Sequence, residues 1–311
     1  MQFKYMSHRF MTYTFRALEH FEEQALPKLP CSIARLKDGH SPHPPDRRRL
    51  GTAMLSGLTS HPSISTSSIT VLLRPSSSPA KEETIASLRS SGAEIIRGDV
   101  VLDPEDTLVN LFVNFDTIIG LGHRLLVGQG SAQDSLDEQL EVRRLLRAQQ
   151  EVDWVVVSTG LFISFLFVPE VGPVDLKARR LRGLGSWETR VSLTSPKDIG
   201  RVTAEIVFEP QGTSRQVVYV AGDTVSYGEV ANLVEDKFNG EWERKSWDLN
   251  ALSRKLKDGP DDGMVKYKNV FGFGKGVAWN MKCTVNEERG LSMQSVKEYL
   301  GEMEIGSTCL G

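Results

Sequence analysis

The chain has 311 residues, 40% of them apolar and 25% charged. These proportions lie near the globular norm and exclude wholesale disorder or a collagen-like fibre, and the length suits one large or two modest domains. Lys and Arg number 37 against 40 Asp and Glu, and a net charge of -3 excludes a nucleic-acid binder that relies on bulk positive charge.

Cys31, Cys283 and Cys309 are sparse and far apart, which is no disulfide framework and fits a reducing compartment. The longest uncharged apolar run, Trp154–Pro169, is broken by Ser158, Thr159, Gly160 and Ser164, and a membrane span needs about 20 mostly apolar residues. The start of the chain has no apolar signal core, and Glu19, Glu22 and Glu23 argue against a transit peptide. A cytoplasmic protein with no membrane partner is expected.

Residues 1–46 stand apart. Phe3, Met6, Phe10 and Tyr13 recur at helical spacing over 1–25, yet the composition reads best as an irregular extension. Cys31, His40 and His43 match no zinc spacing and lack a second ligand pair, so they read as a solvated loop and no metal is expected. Ser32–Leu36 is a candidate strand. From residue 50 the pattern is orderly. Leu50–Leu58 is a helix with Ala53, Met54, Leu55 and Leu58 on one face. Strand Ile69–Leu73, helix Lys81–Ser90, strand Ala93–Ile96, helix Asp103–Phe112 and strand Thr117–Leu121 follow, with Pro104 at the first helical position. Gln133–Gln150 is an amphipathic helix burying Leu136, Leu140, Val142, Leu145 and Leu146, and Trp154–Ser158 is a buried strand. The second half reads as helix Asp198–Phe208, strand Gln216–Val220, a capping box of Ser226 and Glu229 opening a helix to Phe238, and shorter helices at Leu249–Leu256 and Met293–Met303. Alternating apolar strands and helices predict an α/β fold, a Rossmann-like doubly wound parallel sheet.

In such a sheet the ligand lies beyond the carboxyl ends of the strands. The candidates there are Gly51, Arg74, Gly120 and the Ser158-Thr159-Gly160 turn. Arg74 stands one residue past the second apolar strand, where a base favours a ribose 2′-phosphate and hence NADP over NAD. The glycines that admit a pyrophosphate at a helix N-terminus are reduced to Gly51, preceded by Arg47-Arg48-Arg49.

The stretches LGTAMLSGL, ITVLLRPSSS, SGAEIIRGDV, FDTIIGLG, VDWVVVSTGLF, TSPKDIGRVTAEIV and VVYVAGDTVSYGEVANLVE, in that order, resemble NmrA-like proteins. These form the isoflavone-reductase-type branch of the atypical short-chain dehydrogenases, and the fungal oxidoreductases of secondary-metabolite clusters are the most similar. The resemblance covers roughly residues 50–300. It implies a Rossmann domain over 47–196, a smaller substrate domain over 197–311, NADP(H), and reduction of a small metabolite, a polyketide intermediate among the candidates. It assigns Lys81 a second charge on the 2′-phosphate, Thr159 and Gly160 to the turn between cofactor and substrate, and Phe162 to the substrate.

Three departures bear on activity. The glycine-rich loop is replaced up to its last member, Gly51. Only His123–Ala132 joins the Thr117–Leu121 strand to the next helix, so one βα unit is expected to be missing near 122–132. The family lysine in K-x-x-[VI]-R is Gln139 here, which carries no charge to polarise a carbonyl. No Tyr-x-x-x-Lys pair exists either. An NADP(H)-dependent oxidoreductase with a small-molecule substrate is the first reading. A non-catalytic NAD(P)-sensing regulator and an inactive product of a damaged or misassembled gene are the alternatives.

Overall fold

Seven residues near the amino terminus, HRFMTYT, include Phe, Tyr and two Thr, residue types that suit a pleated surface. In the computed structural model, which describes residues 8–14, 35–36, 47–73, 79–99, 103–121, 143–150, 152–168, 172–260 and 262–304, they form strand β1 (His8–Thr14). Here the structure corrects the sequence. The segment read as a helix or an irregular extension is an inner strand of a parallel sheet. The apolar positions spaced like a helix face are outweighed by ladder pairing on both sides.

The chain forms two compact units that interleave along the sequence, where the sequence suggests one division near residue 196. The first takes in Met1–Arg16, Arg47–His123 and Ile199–Gly212, and the second takes in the rest. The two-residue β2 (Arg35–Leu36) belongs to the second. In the first unit, α1 (Arg47–Thr59), β3 (Ser67–Leu73), α2 (Pro79–Ser90), β4 (Glu94–Arg97), α3 (Glu105–Phe112) and β5 (Thr117–Leu121) alternate. All four strands are parallel in the order β4-β3-β1-β5, with Phe10 level with both Ile69 and Thr117. Parallel neighbours need crossovers, and the helices supply them.

Helix α1 follows its sequence reading: Met54, Leu55 and Leu58 are buried. It packs against the helix α4 (Pro196–Phe208) through two glycines. A Cβ on Gly57 would stand 2.3 Å from the Gly200 carbonyl oxygen, and one on Gly200 would stand 2.0 Å from that of Ala53. Only glycine permits such a backbone approach. At the end of α1, His61 Nε2 lies 2.9 Å from Glu205 Oε2, and its ring stacks on Phe208 at 4.5 Å. Pro104 sits one position outside α3, as its N-cap residue.

Among the described residues, the second unit contains four sheets. β6 (Val155–Ser158) pairs in parallel with β11 (Gln216–Tyr219). β7 (Leu161–Phe162), β10 (Arg190–Thr194) and β12 (Asp223–Ser226) form a second sheet in the order β12-β10-β7. β8 (Val174–Asp175), β9 (Arg180–Leu184) and β13 (Glu243–Trp247) form a third. β14 (Met303–Glu304) pairs with β2. Its helices include α5 (Tyr227–Phe238), α6 (Leu249–Asp258), α7 (Gly263–Phe273), α8 (Val285–Glu288) and α9 (Val296–Glu302).

The apolar run from Trp154 is a core element. It breaks after β6, and Ile163, Phe165, Leu166 and Phe167 are buried in a tight helical turn. Each such side chain contributes about 1.5–3 kcal/mol. The expected buried strand β6 is half-buried throughout. Leu145, expected in the core, is 53% exposed; of its proposed helix, residues 143–148 are described and helical. The capping box at α5 is present as read: the Ser226 hydroxyl accepts from Glu229 N–H, and the Glu229 carboxylate accepts from Ser226 N–H. A second capping box, Ser295 with Glu298, opens α9. No helix among the described residues is long and apolar enough to cross a membrane.

Candidate functional site

Two places can hold a ligand by the carboxyl-end rule. The first is the switch point of the four-stranded sheet, between β1 and β5, whose ends are level at Thr14 and Leu121. Gly120 occupies the fourth position of β5, paired with Tyr13. Gly51 lies inside α1, five residues into the helix, rather than in a turn ahead of it. Lys81 lies in the first turn of α2. Arg74 follows β3 directly; it and Gln139, Cys31, His40, His43 and the proposed gap at 122–132 lie outside the described residues.

A dinucleotide pyrophosphate needs a short glycine turn between the first strand and the first helix, so that backbone N–H groups reach its oxygens. Here residues 15–46 separate β1 from α1 and contain one glycine, Gly39. The sequence between β1 and α1 lacks the glycine pattern of a pyrophosphate turn. What the sequence offers instead is charge, from Arg47, Arg48 and Arg49 in the first turn of α1.

The second place is the turn after β6, which is short and closely braced. Ser158 and Tyr219 end β6 and β11 together. The Thr159 carbonyl accepts from the Thr194 hydroxyl at 2.7 Å. Gly160 has φ +63°, and a Cβ there would stand 2.3 Å from the Ser192 carbonyl oxygen and 3.2 Å from Cη2 of Trp279. The segment after α7 is laced to these strand ends. Ser192 N–H donates to the Val277 carbonyl at 2.9 Å, and Trp279 N–H donates to Ser192 Oγ at 3.0 Å. Ser192 Oγ also lies 2.7 Å from Thr224 Oγ1. The buried Asn286 amide spans the backbone N–H and C=O of Ala221, both at 3.1 Å. The Trp279 ring meets Tyr219 at 5.0 Å.

Phe162 begins an aromatic row. It is 9% exposed and packs on Phe165 at 5.9 Å. Phe165 stacks on Tyr267 at 5.5 Å, and Tyr267 meets Phe271 at 4.5 Å. The Tyr267 hydroxyl has no hydrogen-bond partner. Burial pushes the Tyr227 and Tyr267 hydroxyls far above the usual phenol range, so neither supplies a phenolate base at neutral pH.

The four tryptophans of the second half, Trp187, Trp242, Trp247 and Trp279, differ in their surroundings. Arg244 lies over Trp187 and Arg179 over Trp242, while Arg182, Lys255 and Lys268 surround Trp247. Trp187 lies between β9 and β10 and Trp247 ends β13, while Trp279 is the one of the four found against Gly160 and Tyr219. The structure thus brings Thr159, Gly160 and Phe162 into one region and adds Ser192, Thr194, Tyr219 and Trp279. No sequence signal points to these four, because their meeting depends on contacts between distant segments.

No protein-family model matches the chain. An NmrA-like family domain-containing oxidoreductase of Gibberella moniliformis is 40% identical over 292 residues, covering 82% of this chain and 95% of that protein. Among solved structures, a leucoanthocyanidin reductase–NADPH complex from Vitis vinifera has a TM-score of 0.67 at 14% identity, covering 94% of this chain and 98% of that one. An isoflavone reductase has a TM-score of 0.64 at 14% identity, covering 96% and 99%. An NADPH-dependent quinone oxidoreductase from Escherichia coli, complexed with NADPH, has a TM-score of 0.63 at 14% identity, covering 94% and 98%. These likenesses carry the Rossmann-type fold, and the identity to the fungal relative across nearly its whole length makes this chain a member of the NmrA-like family.

Proposed function

We propose that the protein is an NADP(H)-dependent oxidoreductase that reduces a small secondary metabolite, of the polyketide-intermediate class. The observation that carries this reading is the 40% identity to a relative described as an oxidoreductase. The fold shared with reductases solved with NADPH supports it. When bound, the nicotinamide supplies the hydride. In this reading Arg74 and Lys81 neutralise the 2′-phosphate, Gly120 borders the cofactor, Thr159 and Gly160 form the turn between cofactor and substrate, and Phe162 contacts the substrate. With one glycine between β1 and α1, affinity rests on these cations and on Arg47–Arg49 rather than on a glycine turn.

A second reading, a non-catalytic NAD(P)-sensing regulator, is favoured by Gln139 at the family lysine position and by the lack of a Tyr-x-x-x-Lys pair. Fluorescence titration tests both. A saturable change with NADPH, weaker with NADH, is expected, and no saturable change overturns both readings. Steady NADPH oxidation on addition of a polyketide extract supports the enzyme, whereas binding without turnover supports the regulator.

A further inference from the structure

The indole of Trp279 is held from several sides at the turn after β6. Its backbone N–H donates to Ser192 Oγ, its Cη2 would stand 3.2 Å from a Cβ on Gly160, and Tyr219 packs against it. The polar groups around it are satisfied. Ser192 Oγ pairs with Thr224 Oγ1, Thr194 Oγ1 reaches the carbonyls of Thr159 and Val220, and the Asn286 amide spans the Ala221 backbone. The exception is Trp279 Nε1–H, which is shielded from solvent and has no acceptor.

A buried donor left unpaired costs about 1–3 kcal/mol, and nearly all such groups in folded proteins have a partner. An indole N–H can only donate, so the missing partner is an acceptor. No cation among the described residues stands over this ring, unlike the other three tryptophans of the second half. A neutral oxygen therefore suits the place better than an anion. Tyr267 and Trp242 also carry unpaired buried groups. The first is packed between Phe165 and Phe271, and the second lies under Arg179 just ahead of β13; of the three, Trp279 stands nearest the Gly160 turn.

We propose that Trp279 is a substrate-binding residue whose Nε1–H donates to a carbonyl or phenol oxygen of a flat aromatic ligand at the Thr159–Gly160 turn, beside Tyr219. The proposal rests on the reading of that turn as the substrate side of the site. Tyr219, 40% exposed, offers the ligand an aromatic face, and ring contacts of this kind favour planar apolar partners.

The test compares 9-fluorenone with fluorene, which has the same tricyclic frame without the carbonyl acceptor. Both are titrated into the ¹⁵N-labelled full chain, with and without NADPH. Expected are about tenfold tighter binding of fluorenone and a downfield shift of one indole N–H resonance, assigned to Trp279 by its loss in Trp279→Phe. The preference should vanish in that variant, whose fold is checked by circular dichroism. Equal affinity for the two compounds, no binding of either, or an unmoved resonance overturns the proposal, and the wild-type affinity comparison stands even if the variant does not fold. An intact fluorenone preference without NADPH binding sinks the cofactor reading and leaves this one, and the converse result does the reverse.

Discussion

An α/β fold would bind a ligand after β1 or after β6, and the sequences that follow these two strands differ. After β6 the chain turns within two residues, and Gly160 takes a left-handed conformation with a carbonyl oxygen 2.3 Å from where a Cβ would stand. After β1, residues 15–46 intervene before α1, with Gly39 as their one glycine. Close backbone approach is a property of short glycine turns, so the turn after β6 has the means for a precise contact, whereas the sequence after β1 lacks the glycines for one. In the proposed reading, the substrate side of the fold is therefore better preserved than the pyrophosphate side.

Gly160→Ala should break the better-built turn. It combines a disfavoured φ with a backbone clash, and a loss of about 3 kcal/mol is expected in urea unfolding. A loss below about 1 kcal/mol would show that the turn tolerates a side chain and would erase the contrast. Arg74→Ala probes the other side. If charge replaces the glycine turn there, NADPH binding should weaken by about tenfold and NADH binding by much less; equal losses would contradict the 2′-phosphate role.

Ser226→Ala asks whether the second unit depends on its helix caps, and a loss of about 1 kcal/mol is expected. The backbone N–H of Ser226, its hydroxyl and Arg190 hold the Glu229 carboxyl below the usual range. Its contribution is therefore present above the ordinary glutamate pKa and is lost as the pH falls through the lowered folded value. The stability gap between wild type and Glu229→Gln should narrow over that acidic window. Smallest of all, Gly39→Ala should change NADPH affinity by less than about twofold, because a lone glycine makes no pyrophosphate turn. A large loss would give Gly39 the role denied to it here.

Much of the fold is legible in the sequence. The α1 stripe, the alternation from Ser67 to Leu121 and the Ser226–Glu229 capping box appear in the structure with small shifts of boundary. The misreadings are physical in origin. HRFMTYT carries spacing compatible with a helix, and only its neighbours β3 and β5 make it a strand. Leu145 matches a helix face, but 53% of it remains exposed. At the candidate site, Thr159, Gly160 and Phe162 are legible through the family turn, whereas Ser192, Tyr219 and Trp279 are not.

The sequence by itself determined the helices with their caps and most of the strand runs, because steric preference, capping and apolar period act between residues a few positions apart. Only the tertiary structure decided that β1 lies inside the sheet, that Gly57 meets Gly200, and that Trp279 closes on Gly160. Those pairings join surfaces far apart in the chain, and their free energy comes from burial and hydrogen bonds that exist only once both surfaces have met.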